Sequence, residues 1–376
     1  MSNLTGIHGE KTALSFLLAL QTERFGQFSL VCNSAASITQ PYFSEYDLSR
    51  DPEQPQQTIS FMPQQSRKTI LADASERELT SFTLASGEAD WGPLTLYGLM
   101  RNGDIYAFAP YMPVRAYDIP LCASGPSLTP STSAIPASYI WSLKHFVSEK
   151  LEAAGRRPGF AGLYEQQLRF VQALESQLPA NKAVTGSQPV AITCPQLTKL
   201  AVARQGPFLL QPEPLEMEDG STDAVDLAYV QVKAAGGELG VVLVSFQNGK
   251  IDVLLDLSKA EALWEHGQAP QASDATLTVF ESIDLGICDA LRNAQCKDVV
   301  EATSRNWPVF QVDPVYSDTV YVAHAFGVHC LWLRGWVSTL LGALTSAGAK
   351  EPLTESLATN VVCMLDTTGQ DKTYVL

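Results

Sequence analysis

A chain of 376 residues with 45% hydrophobic and only 17% charged side chains can bury a large core, which excludes a disordered or fibrous protein. Twenty-five basic against forty acidic residues leave a formal net charge of −15, a field that repels phosphate backbones and anionic lipid but suits a basic protein partner. The seven cysteines are odd in number and form no C-x-x-C pair, so they read as reduced core residues of a cytosolic or nuclear protein rather than a disulfide framework.

From the N-terminus, the apolar run Ala13 to Leu20 follows acidic Glu10 and precedes no small-x-small cleavage site, which argues against a signal peptide. Phe28 to Asn33, Thr58 to Met62 and Leu79 to Leu84 are strand candidates. Leu94 to Met100 and Asp104 to Ala109 flank Arg101-Asn102-Gly103, and Asn-Gly predicts a hairpin closed by a type I′ turn with two positive-φ residues. A Pro/Ser-rich linker from Pro120 to Pro136 then leads to a helix over Tyr139 to Ala154, with Ile140, Leu143, Val147 and Leu151 at helical spacing. Arg156-Arg157-Pro158-Gly159 ends it. Leu163, Gln167, Val171, Leu174 and Leu178 share one stripe of a second helix, giving an αα-hairpin inserted between blades, with 136–180 as its bounds. That stripe either caps the chain's own propeller or helps hold a partner.

Further strands are expected at Val190 to Thr193, Ala224 to Val232, Thr276 to Glu281, Val320 to His324 and Val361 to Asp366, and Lys372 to Leu376 reads as a strand stopped mid-blade. Gly240 to Phe246 and Lys250 to Leu255 around Gln247-Asn248-Gly249 repeat the first hairpin, sharing the phrase Asn-Gly-x-Ile. The acidic stretch Glu213 to Asp226 reads as a solvated loop. Val328 to Leu344 is interrupted by Arg334 and falls short of the roughly 20 residues a bilayer requires. Within it, Trp336, Val337, Leu340, Leu341 and Leu344 recur at one-turn intervals and predict a third helix.

Repeated strand–turn–strand units, none able to bury its apolar face alone, predict an all-β chain of the β-propeller type over residues 1–376, with a β-sandwich as the competing arrangement. There is roughly five to six blades' worth of strand, and both ends look incomplete.

Chemistry is sparse. Five histidines limit acid–base options. His324 and His329 lack a carboxylate or cysteine at ligand spacing and read as buried, hydrogen-bonded residues. Asp366-Thr367-Thr368-Gly369 occurs once, where an aspartic dyad needs two carboxylates. No G-x-S-x-G, G-x-x-x-x-G-K or G-x-G-x-x-G appears, so no catalytic, cofactor or metal residues are assigned.

Several phrases carry a resemblance: Trp91-Gly92-Pro93-Leu94-Thr95-Leu96-Tyr97-Gly98-Leu99, Asn102-Gly103-Asp104-Ile105-Tyr106 and Pro110-Tyr111-Met112-Pro113, then Tyr164-Glu165-Gln166-Gln167-Leu168, Glu281 to Gly286, and Asp313 to Val320 leading to His324 and Gly327-Val328-His329. In this order, from Leu79 to Asp366, the chain resembles the fungal nucleoporin eighty-two and animal nucleoporin eighty-eight family. The resemblance implies an N-terminal, seven-bladed-type propeller on the cytoplasmic face of the nuclear pore. It implies a non-catalytic scaffold without cofactors that supports messenger RNA export. The implied partners are the helical tail of a cytoplasmic-filament nucleoporin and the autoproteolytic-type domain of an FG-repeat nucleoporin. The family's C-terminal coiled coil has no counterpart here, since no heptads are sustained. For partner contacts, the helical stripes nominate Val337, Leu340, Leu341 and Leu344, with Leu163, Val171 and Leu174 of the insertion. A propeller hydrolase or lyase with a central-channel site, and a generic adaptor propeller, stay open as alternatives.

Overall fold

The structure, a computed structural model, describes residues 34–39, 42–47, 51–62, 78–112, 117–120, 137–154, 161–178, 189–195, 200–214, 223–234, 236–265, 275–293, 306–345 and 357–367. The candidate strands Phe28 to Asn33 and Lys372 to Leu376 lie outside them. Strands β1 (Ser34–Thr39), β2 (Tyr42–Asp47) and β3 (Asp51–Ser60) form a three-stranded antiparallel sheet. A second sheet begins with β4 (Leu79–Leu84), β5 (Leu96–Met100) and β6 (Ile105–Phe108).

The helical segment follows β6. Strand β7 (Tyr117–Pro120) leads to α1 (Ala137–Ala154), α2 (Ala161–Glu175) and β8 (Pro189–Ile192), which pairs back onto β7. Only then does β9 (Arg204–Gln205) complete the second sheet by pairing with β6. The insertion therefore lies inside a sheet, not between two blades as its sequence position suggests. The β7–β8 stem brings its ends together, so the free edge of β6 can accept a strand arriving about a hundred residues later.

Strand β10 (Leu209–Gln211) crosses to the third sheet, made of β11 (Ala224–Ala234), β12 (Gly237–Phe246), β13 (Lys250–Asp256) and β14 (Thr276–Asp284). There it lies parallel to the outermost strand, in the order β10-β14-β13-β12-β11. Helix α3 (Ile287–Asn293) precedes a fourth sheet of β15 (Val309–Val312), β16 (Thr319–His324), β17 (Gly327–Trp332) and β18 (Asn360–Asp366). Helix α4 (Arg334–Thr345) lies between β17 and β18 in the chain.

The first strands of successive sheets pack side by side: β4 against β1 and β11, and β11 against β15. Core clusters fill the spaces between neighbouring sheets. Tyr97, Leu99 and Phe208 meet Tyr229, Val242 and Leu254 between the second and third, while Val230, Val241 and Val253 meet Val320, Val322 and Leu331 between the third and fourth. Sheets radiating from their first strands, each burying a face on the next, make the β-propeller arrangement. Asp226 of β11 ties three sheets where the first strands converge. Its carboxylate accepts from Ser81 Oγ of β4 (2.7 Å), its neighbour Leu227 N (2.9 Å) and Phe310 N of β15 (2.7 Å).

Both Asn-Gly hairpins form, but the type I′ expectation is corrected. Only Gly103 (φ 93°) and Gly249 (φ 91°) are left-handed, and each donates its N–H to the carbonyl three residues back, Met100 or Phe246. The third loop residue, Arg101 or Gln247, supplies the extra link that lets a turn end in a single left-handed glycine. Asn102 and Asn248 contribute side chains instead, their Oδ1 atoms accepting from Asp104 N and Lys250 N at 3.0 Å.

Candidate docking surfaces

Helix α4 places the residues nominated from its stripe at two depths. Val337 is fully buried, and Trp336 and Leu341 nearly so, in the core between the third and fourth sheets. Trp336 stacks on Phe280 of β14 with centroids 4.0 Å apart. Leu340 is half-buried at the margin of that core, and the side chain of Leu344 lies outside the described residues. The opposite side of α4 exposes Arg334, Gly335 and Ser338, and a Cβ added at Gly335 or Gly342 would meet no neighbour. Arg334 pairs with Asp318 at the start of β16, anchoring the helix N-terminus.

The insertion divides in the same way. Val171 and Leu174 are buried with Phe170 against Trp91, Leu94 and Trp264, whereas Leu163 is half-buried. Gln167, fully buried, donates to the Ala262 carbonyl (3.0 Å), and Tyr139 donates to the Asp90 carbonyl (2.6 Å). Lys150 adds an ion pair to Glu261. The stripe thus covers the chain's own sheets, and the surface left by α1 carries exposed Trp141.

The β15–β16 loop, noted in the sequence only as a family phrase, presents a braced surface that the sequence reading did not foresee. Asp313 accepts from Val315 N (2.8 Å), Tyr316 N (2.9 Å) and the Tyr321 hydroxyl (3.0 Å), and these bonds hold its carboxyl below the usual range. The loop is thereby braced with Val315 76% and Tyr316 61% exposed. The signal was present in Asp313-Pro314, since an aspartate before proline opens a side-chain-capped turn.

Polar groups in the interior serve the fold. Asp256, its carboxyl pushed up by burial, accepts from the Tyr97 hydroxyl (2.8 Å) and Lys259 N (3.0 Å), while Lys259 pairs with Asp90. His324 and His329 are hydrogen-bonded to each other, Nε2 to Nδ1 at 2.8 Å, in line with the sequence reading. Among the described residues no three His, Cys, Asp or Glu side chains are grouped to hold a metal, and no helix is long and apolar enough to cross a membrane.

Residues 46–352 match the family model described as the nucleoporin NUP82 beta-propeller. Nucleoporin NUP82 of Chaetomium thermophilum is 24% identical over 316 residues, and nucleoporin nup82 of Schizosaccharomyces pombe 21% identical over 290. These alignments cover 75% and 73% of this chain but 33% and 31% of the relatives, so the chain spans about a third of their length. Among solved structures, the Chaetomium thermophilum Nup82 NTD–Nup159 TAIL–Nup145N APD complex contains a similar chain, with a TM-score of 0.65 and 20% identity, covering 90% of this chain and 65% of that one. The yeast Nup82–Nup159–Nup116 complex gives a TM-score of 0.58 and 16% identity, covering 90% and 66%. With its radial sheets and a family match over most of its length, the chain belongs to the nucleoporin NUP82 β-propeller family.

Proposed function

We propose that this chain is a docking scaffold of the nuclear pore complex, holding other nucleoporins at the cytoplasmic face of the nuclear envelope and thereby supporting messenger RNA export. The family match over residues 46–352 carries this reading. The partners are those of the solved relatives, which hold a Nup159 tail and the autoproteolytic domain of Nup145N, or Nup116 in yeast. Docking needs rigid exposed surfaces and no reacting groups. The interior carboxylates Asp226 and Asp256 are spent on hydrogen bonds that join sheets.

Among the nominated residues whose side chains are described, the half-buried Leu340 and Leu163 are able to touch a partner directly, while Val337, Leu341, Val171 and Leu174 act by holding the two helices in place. The test is titration calorimetry of the chain against the Chaetomium Nup159 tail peptide and, separately, the Nup145N autoproteolytic domain. Leu340→Asp should weaken tail binding at least tenfold, about 1.4 kcal/mol, while the variant, though somewhat destabilised, still melts cooperatively. Val337→Asp places a charge in the core and should unfold the chain. A folded protein that binds neither partner would sink the docking assignment.

A further inference from the structure

The chain holds one reactive dipeptide in two contrasting settings. Asparagine is among the least durable side chains, because the backbone nitrogen of the next residue can attack its amide carbon, and a following glycine hinders that attack least. Asn102-Gly103 and Asn248-Gly249 each turn a hairpin with a left-handed glycine whose N–H is held by the carbonyl three residues back. Each asparagine also accepts from the backbone N–H two residues on, at 3.0 Å. What surrounds the turns differs. Asn102 is exposed, and a Cβ on Gly103 would meet nothing nearer than Phe246 at 3.7 Å. Asn248 is buried, its carbonyl accepts from Cys288 Sγ, and the Gly249 carbonyl accepts from Leu285 N (3.1 Å), with Ile287 of α3 packed on the glycine.

We infer that Asn102 is a self-modification site that converts to isoaspartate in the folded chain, while packing keeps Asn248 intact. Gly103 N, once hydroxide has taken its proton, adds to Asn102 Cγ, and the side-chain amide leaves as ammonia to close a five-membered succinimide. Water then opens the ring. Opening at the main-chain carbonyl leaves Gly103 bonded through the former side chain and frees the α-carboxyl of residue 102, a substrate of the class that methyltransferases using S-adenosylmethionine can esterify. Opening at the other carbonyl gives ordinary aspartate. The net change either way is one water taken up and one ammonia lost.

Ring closure demands that the side chain rotate and the glycine N–H come free. At Asn102 the bonds given up run to Asp104 N and, from Nδ2, to Asp104 Oδ2 (2.8 Å), both exposed, so water replaces them as they break. At Asn248 the same rotation leaves the buried Lys250 N–H without its acceptor and drives the turn against α3. The product acts where the second and third sheets join. The Arg101 carbonyl accepts from Ala224 N of β11 (2.8 Å), and its guanidinium pairs with Glu78 and Asp223. A carboxylate at 102 removes the donor to Asp104, sets like charges together and competes for Arg101. Isoaspartate also adds a backbone carbon to a turn whose length fixes the register of β5 and β6.

The intact chain, incubated at mildly alkaline pH and sampled over early conversion while it still melts cooperatively, supplies the test. Peptide mass spectrometry follows both sites, and methylation by a protein-isoaspartate methyltransferase with S-adenosylmethionine counts the freed α-carboxyls. Residue 102 should convert at least tenfold faster than 248 in the folded chain, and the two should convert at similar rates in urea. Asn102→Gln should abolish the methylation signal, because a six-membered ring closes far more slowly. Residue 102 staying as intact as 248 in the folded chain, or equal conversion of the two, overturns the proposal. So does a gap that persists unchanged in urea, which would lodge the difference in the flanking residues and not in the fold.

Discussion

The pairing of His324 with His329 fixes the protonation state of both rings. Phe326 N–H donates to His324 Nδ1 (3.2 Å), so that nitrogen is bare and the proton sits on Nε2, which donates to His329 Nδ1. A further proton on either ring would set donor against donor. Burial moves His324 from 6.5 down to about 4, helped by the neighbouring His329, while Asp366 pulls both rings the other way. Between pH 6.5 and about 4 the unfolded chain therefore binds protons that the folded pair refuses, and stability falls as the pH falls through that window. His329 is buried but His324 only half-buried, so the expected loss is held to about 1–2 kcal/mol. Urea midpoints at either end of the window should differ less in His324→Gln than in the wild type; an unchanged difference would show that the pair does not set the acid response. Asp226 is a residue of another kind. In Asp226→Asn one carboxylate oxygen becomes an NH2 facing either Phe310 N–H or the Ser81 and Leu227 donors, which should cost about 2–3 kcal/mol in denaturant unfolding. Ser81→Ala, which leaves both backbone donors satisfied, should cost about 1 kcal/mol.

Among the elements, the two Asn-Gly turns separate backbone strain from crowding. Both glycines are left-handed, but a Cβ on Gly103 would meet nothing closer than Phe246 at 3.7 Å, whereas on Gly249 it would sit 2.8 Å from Ile287 of α3. Gly103→Ala should therefore cost the strain of a left-handed alanine, about 1 kcal/mol, and Gly249→Ala clearly more, because α3 must shift as well. Equal losses in thermal melts would mean that α3 yields freely. The same hairpins show what periodicity could reveal. Long, continuously apolar strands beside Asn-Gly, such as β12 and β13, were legible because turn and apolar run agree. The strands β9 and β10 were not, since two and three residues hold too little pattern to stand out and exist only because β6 and β14 offer open edges. β17 was hidden for a different reason. Its apolar residues run into those of α4 with only Leu333 between, so strand and helix merge into one hydrophobic stretch. The depth of a stripe was likewise illegible: spacing identifies the face of α4 or α2 but not whether a neighbouring sheet or a partner covers it.

At the scale of the whole molecule, the insertion is the place where the wheel and its appendage become one folding unit. It interrupts the second sheet between β6 and β9, and a segment with its own paired stem could in principle be excised without breaking the ladder. Packing argues otherwise. Trp91 and Leu94 of the second sheet's connection, Ala262 and Trp264 after β13, and Ile192 of the stem are buried by Leu143, Val147, Phe170, Val171 and Leu174 of the two helices. Removing the helices would uncover several large apolar side chains at once, at about 1.5–3 kcal/mol for each, a sum comparable with the entire stability of a domain. It would also strip Ala262 O of its Gln167 donor and Glu261 of Lys150. A chain in which residues 137–178 are replaced by a short Gly/Ser linker should thus be insoluble, or bind hydrophobic dye and melt without cooperativity. The point variant Trp141→Ser, on the exposed side of α1, should melt like the wild type. A linker variant that stays soluble and melts cooperatively would make the helices a removable attachment, and the docking surfaces assigned to them would then be separable from the propeller.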